Sequence, residues 1–257
     1  MLTAITRAVS PSLNRCELGY LPRQPIDIAK AEQQHRAYEA CLSDLGARVV
    51  SLPAEPDLPD SMFVEDPAVV VDEVAVMTRM GAESRRGESE SLAAALSRYR
   101  PLRWMQEPAT LEGGDVLRIG SKVFVGLSRR TNAEGVAQLA CELEPLGYSV
   151  QALEVHGCLH LKSACCALGD GTVLVNRSWI DSGLFETFRV IDVPKEEPHA
   201  ANVLAIGDAV LVASAFPRTA ELLANLDWKP RVLDISELMK AEAGLTCSSI
   251  VFEADSF

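Results

Sequence analysis

A pair of short apolar runs joined by a tight turn recurs along this chain, and it constrains the fold more than any other feature. Val69-Val70-Val71 and Val74-Ala75-Val76-Met77-Thr78-Arg79 flank the acidic turn Asp72-Glu73. Asp115-Val116-Leu117-Arg118-Ile119 turns at Gly120-Ser121 into Val123-Phe124-Val125-Gly126, and Asn202-Val203-Leu204-Ala205-Ile206 turns at Gly207-Asp208 into Val210-Leu211-Val212. Cys166-Ala167-Leu168, Gly169-Asp170-Gly171 and Val173-Leu174-Val175 form a further copy. Runs rich in β-branched residues between turn residues read as hairpins, and Gly beside Asp or Ser supplies the positive φ of the turn.

After most hairpins the pattern changes to helical spacing, over 82–98, 131–146 and 219–226, the second opening on the capping-box-like Thr131-Asn132-Ala133-Glu134. A third apolar run then closes each unit, at 48–52, 102–105, 149–153, 189–193 and 231–235. The helical stretch 26–45 comes before the first of these, so its unit lacks a complete hairpin at the N-terminal end. Ala4-Ile5-Thr6-Arg7 resembles Val76-Met77-Thr78-Arg79, a second hairpin strand, and the first strand is supplied by the run at 248–252 near the other end. The two ends are therefore expected to pair, closing five ββαβ units into a ring whose loops converge on an axis. One domain over residues 1–257 accommodates this.

The formal net charge of −12 argues against nucleic acid or anionic membrane as a partner, since such binding runs on basic patches, and favours a cationic small molecule. No run of about 18 apolar residues occurs and the first residues lack a signal-peptide pattern, so a cytoplasmic protein is expected. Seven cysteines, none in a C-x-x-C pair, point to free thiols.

Just before the first strand of each unit stand Asp66, Glu112, His160, Asn202 and Cys247, at intervals of 46, 48, 42 and 45 residues. Equivalent positions of a ring meet at its centre, so two carboxylates, an imidazole and a thiol share one pocket. A thiolate is a strong nucleophile but needs a neighbouring positive charge to form near neutrality. His160 can protonate a leaving amine and then take a proton from water. Asp66 and Glu112 suit a planar cation such as a guanidinium, which would itself help to ionise Cys247. Each residue also has a plainer reading: Cys247 and His160 as core residues, Asp66 and Glu112 as turn or cap residues, Arg85 and Arg130 as a solvated face.

Asp60-Ser61-Met62-Phe63-Val64-Glu65-Asp66-Pro67, Gly81-Ala82-Glu83-Ser84-Arg85-Arg86, Glu112-Gly113-Gly114-Asp115, Arg130-Thr131-Asn132, His160-Leu161-Lys162-Ser163 and Leu245-Thr246-Cys247-Ser248 together resemble the dimethylarginine dimethylaminohydrolase family, over nearly the whole chain. The motifs around Asp66 and Glu112 alone also resemble arginine deiminases and amidinotransferases. The resemblance implies a five-bladed α/β-propeller and hydrolysis of Nω-methylated arginine to citrulline and an amine. It implies Cys247 as nucleophile, His160 as proton shuttle, Glu112 orienting His160 and Asp66 binding the guanidinium. Arg85 and Arg130 would bind the substrate carboxylate, Asp60 and Glu65 would help to hold the amino-acid end or the guanidinium, and the Ala241 carbonyl would receive the ammonium. Leu18, in a segment containing Gly19 and Pro22, would close over the pocket as part of a mobile lid.

This chain departs from the family at Ala241-Glu242-Ala243-Gly244, where an Asp followed by Gly is usual. No cofactor is implied. A structural zinc at Cys158, His160, Cys165 and Cys166 is disfavoured because alternation along a strand sends Cys165 and Cys166 to opposite faces. The alternatives are an arginine deiminase-like hydrolase of another guanidino compound, which the absence of an inserted helical domain argues against, and a non-catalytic binding protein of the same fold. Either a monomer or a homodimer is compatible with the sequence.

Overall fold

The middle strand of each predicted unit is apolar at consecutive positions, which fits a strand buried on both faces rather than one with a wet side. The computed structural model, which describes residues 1–169 and 171–254, builds five three-stranded sheets around such strands. In chain order the first unit contributes β1 (Leu2–Arg7), α1 (Ile28–Asp44) and β2 (Arg48–Leu52), and the second β3 (Ala68–Val70), β4 (Ala75–Met77), α2 (Ser89–Leu96) and β5 (Leu102–Trp104). The third has β6 (Val116–Ile119), β7 (Lys122–Leu127), α3 (Ala133–Leu143) and β8 (Ser149–Glu154). A short helix α4 (Leu161–Ala164) leads into the fourth, β9 (Cys165–Gly169), β10 (Thr172–Val175) and β11 (Arg189–Asp192). The fifth has β12 (Leu204–Ile206), β13 (Ala209–Ala213), α5 (Pro217–Ala224) and β14 (Lys229–Leu233), after which α6 (Ser236–Met239) leads to β15 (Ile250–Glu253).

Every sheet repeats one pattern: an antiparallel hairpin, then a parallel third strand on the far side of the middle one. The first sheet is completed from both ends of the chain. Strand β1 pairs antiparallel with β15, Ile5 opposite Ile250 and Ala4 opposite Val251, and parallel with β2. No sheet among the described residues closes on itself, so the architecture is α/β with five separate small sheets.

Alternation on the middle strands links the sheets. Val173 and Val175 enter the core shared by the third and fourth units, while Leu174 between them enters the core shared by the fourth and fifth. Val210 and Val212 join that same core, but Leu211 faces the first unit beside Ala4, Tyr38 and Leu42. Ile5 then packs with Ala75 and Met77 of the second unit. Five apolar cores thus lie between consecutive units, and the last of them returns from the fifth unit to the first.

One predicted helix starts differently: the stretch 82–98 begins as a 3-10 helix over Glu83–Glu88 before α2 starts. In the fourth unit, where no helical spacing is predicted, a 3-10 turn, Ser182–Phe185, stands between β10 and β11. The hairpin turns at Gly120 and Gly207 have the expected positive φ, 61° and 59°; Asp170 of the fourth hairpin turn lies outside the described residues. Cys165 and Cys166 fall in different cores, as alternation requires.

Candidate active site

Each residue of the predicted register sits where the chain enters the first strand of its unit. Asp66 precedes β3, Glu112 precedes the 3-10 turn Gly113–Asp115 and β6, His160 caps α4, Asn202 precedes β12, and Cys247 lies in the 3-10 turn Thr246–Ser248 ahead of β15. Here loop backbones must pass one another closely. A Cβ on Gly114 would stand 2.6 Å from Nδ1 of His160 and 2.9 Å from Oδ1 of Asp66, and one on Gly113 would lie 2.0 Å from the Glu65 carbonyl. Gly113-Gly114 is therefore the gap that lets the imidazole and the carboxylate converge.

His160 lies between two carboxylates. Its Nε2 is 2.8 Å from Oε2 of Glu112, and its Nδ1 is 3.9 Å from Oδ1 of Asp66. Burial works against a charged ring, but the charges of Asp66 and Asp115 and the bond to Glu112 outweigh it and raise the His160 pKa to about 9. Burial likewise disfavours the Glu112 carboxylate. The His160 bond and charge, with Arg85 and Arg130 nearby, hold the Glu112 pKa down at about 2. The other oxygen of Glu112 accepts from the Ala82 N–H at 3.1 Å and from Arg130 at 3.2 Å. His160 is thus an imidazolium at neutral pH.

Asp66 spends its carboxylate on two partners: Oδ1 accepts from the Gly114 N–H at 3.0 Å and Oδ2 from Arg85 at 2.7 Å. The buried Arg85 also grips Glu88 through two N–H groups, at 3.0 and 2.9 Å. Asp115, one position beyond the glycines, accepts from Ser128, Thr131 and the Leu161 N–H and so fixes the start of α4 behind His160.

Cys247 sits above this cluster. Its carbonyl accepts from the Glu65 N–H at 3.3 Å, and the Gly244 N–H points at its sulfur, 3.3 Å away. Burial, then the charges of Glu65 and Asp66, push the thiol pKa up, against the Gly244 N–H and Lys162. At rest the sulfur is a thiol.

A cavity of about 20 Å³ joins these groups, with Cys247, His160, Asp66, Arg85, Arg130, Asp60 and Ala241 among its walls. That is space for about one water molecule. Two expected contacts are placed differently. The Glu65 carboxylate turns away, to Lys162 Nζ at 2.6 Å and Thr246 Oγ1 at 2.8 Å, and lines a separate 370 Å³ cavity on the other side of that ion pair. Leu18 packs half-buried against the first-unit core, and the residue of that segment on the cavity wall is Glu17, whose N–H donates to Asp60 at 3.0 Å. Glu17, Phe63, Leu159 and Glu242 line the cavity without being predicted to act there; Glu17 and Glu242 are legible in the sequence only as charged residues near Leu18 and Cys247.

Asp66, Glu112 and His160 place ligand atoms within 4.8 Å of one another, a geometry open to a metal ion. Arg85 and Arg130 already donate to the two carboxylates, so a metal there would compete with two guanidinium groups for the same oxygens.

The chain matches the family model described as arginine deiminase over residues 54–211. It is 43% identical over 249 residues to the N(G),N(G)-dimethylarginine dimethylaminohydrolase of Streptomyces coelicolor, covering 96% of this chain and 95% of that one. Among solved structures it resembles DDAH from Pseudomonas aeruginosa, a cysteine-to-serine mutant complexed with citrulline, at 34% identity and a TM-score of 0.93 over 98% of this chain and 100% of that one. A histidine-to-glycine form of dimethylarginine dimethylaminohydrolase, an adduct with S-methyl-L-thiocitrulline, matches with the same identity, coverage and TM-score. The chain belongs to the dimethylarginine dimethylaminohydrolase family.

Proposed function

We propose that this protein hydrolyses Nω-methylated arginine to citrulline and dimethylamine or methylamine through a covalent intermediate on Cys247. The observation that carries the reading is the convergence on one small cavity of the Cys247 thiol and an imidazole held between the carboxylates of Glu112 and Asp66.

A guanidinium entering this cavity brings the positive charge that the thiol lacks, so Cys247 gives up its proton to solvent as substrate binds. The thiolate attacks the central guanidinium carbon, forming a C–S bond and a neutral tetrahedral adduct. His160 then gives its Nδ1 or Nε2 proton to the departing nitrogen, the C–N bond breaks, and the methylated amine leaves an S-alkylthiouronium cation. Neutral His160 next takes a proton from water, the hydroxide attacks the same carbon, and the C–S bond breaks as the new hydroxyl proton passes to the sulfur, which returns the thiol and releases citrulline. Asp66 holds the guanidinium nitrogens, and Glu112 aligns His160. Arg85 and Arg130, on the cavity wall, would meet the substrate carboxylate, and Asp60 with the Ala241 carbonyl the ammonium. Glu65 buttresses the turn carrying the nucleophile through Thr246.

The same reading takes residues 1–257 as a single catalytic domain in which the five units are blades of an α/β-propeller. Its support is the series of apolar cores that runs from unit to unit and back to the first. A cytoplasmic location accords with seven free thiols, and monomer or homodimer both fit.

Asymmetric dimethylarginine and arginine, assayed side by side for citrulline and released amine, test the proposal. Citrulline with dimethylamine from the methylated substrate is the expected result. Citrulline with ammonia from arginine alone would move the protein to deiminase chemistry, toward which the matched family model points. No product from either, or from other guanidines, would favour a binding protein.

A further inference from the structure

We infer that Glu242 is the latch of the lid, a positioning residue that holds residues 16–21 across the mouth of the cavity by accepting their backbone N–H groups. Three consecutive donors converge on this one carboxylate: the Gly19 N–H reaches Oε2 at 2.8 Å, and those of Tyr20 and Leu21 reach Oε1 at 2.6 and 2.5 Å. The opposite end of the segment is tied to another rim, where the Glu17 N–H meets Asp60 and Ser84 Oγ donates to Glu17 at 2.5 Å. At the Glu242 end, the Tyr20 ring lies under the Arg129 guanidinium, 5.5 Å from ring centroid to carbon. The segment therefore spans the mouth from one wall to the other, and the 20 Å³ left beneath it does not admit an amino acid. Substrate enters when the strap lifts, and the Glu242 bonds are what it leaves behind.

Backbone geometry separates this role from a merely structural one. Helix α6 ends with the Glu242 N–H bonded to the Met239 carbonyl and the Ala243 N–H to the Leu238 carbonyl. In that C-terminal motif the residue equivalent to Glu242 turns left-handed and is usually glycine. Here a glutamate occupies it at φ 60°, a region unfavourable to a residue with a Cβ. The helix end has no use for this side chain; the lid does.

The latch rests on the proposed hydrolase reading for its kinetic consequence, but not for its structural one. Glu242→Gly relieves the φ strain and removes the carboxylate. Limited chymotryptic cleavage after Tyr20, followed by mass spectrometry, reads lid release with no substrate present, and thermal unfolding is recorded in parallel. The expected result is cleavage about tenfold faster with a Tm unchanged or higher. With asymmetric dimethylarginine, KM rises about tenfold while kcat is unchanged or faster. Cleavage at the original rate would overturn the latch, as would faster cleavage accompanied by a lowered Tm, which marks global loosening. A protein that turned over no guanidine would refute the proposed function while leaving the cleavage result to decide the lid.

Discussion

His160 keeps a proton at neutral pH because the carboxylates of Asp66, Asp115 and Glu112 surround it, and that proton is the one the proposed mechanism gives to the leaving amine. Its consequence for stability has a definite sign. A pKa raised from 6.5 to about 9 means that protonated His160 stabilises the fold fully below its ordinary value, and that this contribution is lost as pH rises through about 9. For Glu112, lowered from 4.5 to about 2, the contribution is present above its ordinary value and lost as pH falls through about 2. The difference in Tm between the protein and His160→Asn should therefore shrink as pH is raised from 6.5 through 9; a constant difference would contradict the assignment. Gly114→Ala tests packing at the same place. Its new methyl meets the imidazole and Asp66, so about 1–3 kcal/mol of stability and nearly all turnover should be lost. Cys247 was readable from its position, but its resting protonation was not, because that depends on burial and on Glu65 and Asp66, residues distant in sequence.

At the scale of the element, the hairpins and third strands were legible because their apolar runs are bounded by turn residues. The pairing of β1 with β15 followed from the same repeat. Less legible were segments whose structure is decided by neighbours. The 3-10 start of the second helix holds Arg85 against Asp66 and Glu88, and periodicity does not register such a contact. Glu65 and Leu18 were placed by motif, yet the side-chain directions were set by Lys162 and by the apolar core. The account also ranks strands by burial. Leu211→Ala, on a middle strand facing the first core, should cost about 2–5 kcal/mol in denaturant titration. Val232→Ala, on the exposed third strand of the same sheet, should fall within about 0.5 kcal/mol. Equal costs would contradict a design in which each middle strand serves two cores.

Across the whole molecule, strands that face two cores link the five of them in series, and the strands nearest the two ends of the described chain complete one sheet. The Met1 ammonium donates to the Ala254 carbonyl at 2.6 Å, so the ends of the described chain are adjacent. A circular permutant joined there by a short Gly-rich linker and opened in the exposed turn between Leu146 and Gly147 should fold with native circular dichroism and retain activity. Failure to fold would mean that the break between Met1 and Ala254 is needed.

The reaction itself depends on a bond between the Cys247 sulfur and the guanidinium carbon. The most direct measurement is mass spectrometry of protein quenched in acid during turnover of asymmetric dimethylarginine, followed by peptide mapping. The mechanism predicts substrate minus dimethylamine attached to the peptide containing Cys247, in unaltered protein and not in Cys247→Ser. Citrulline formed at a normal rate by Cys247→Ser, or an adduct carried by another of the seven cysteines, would contradict it.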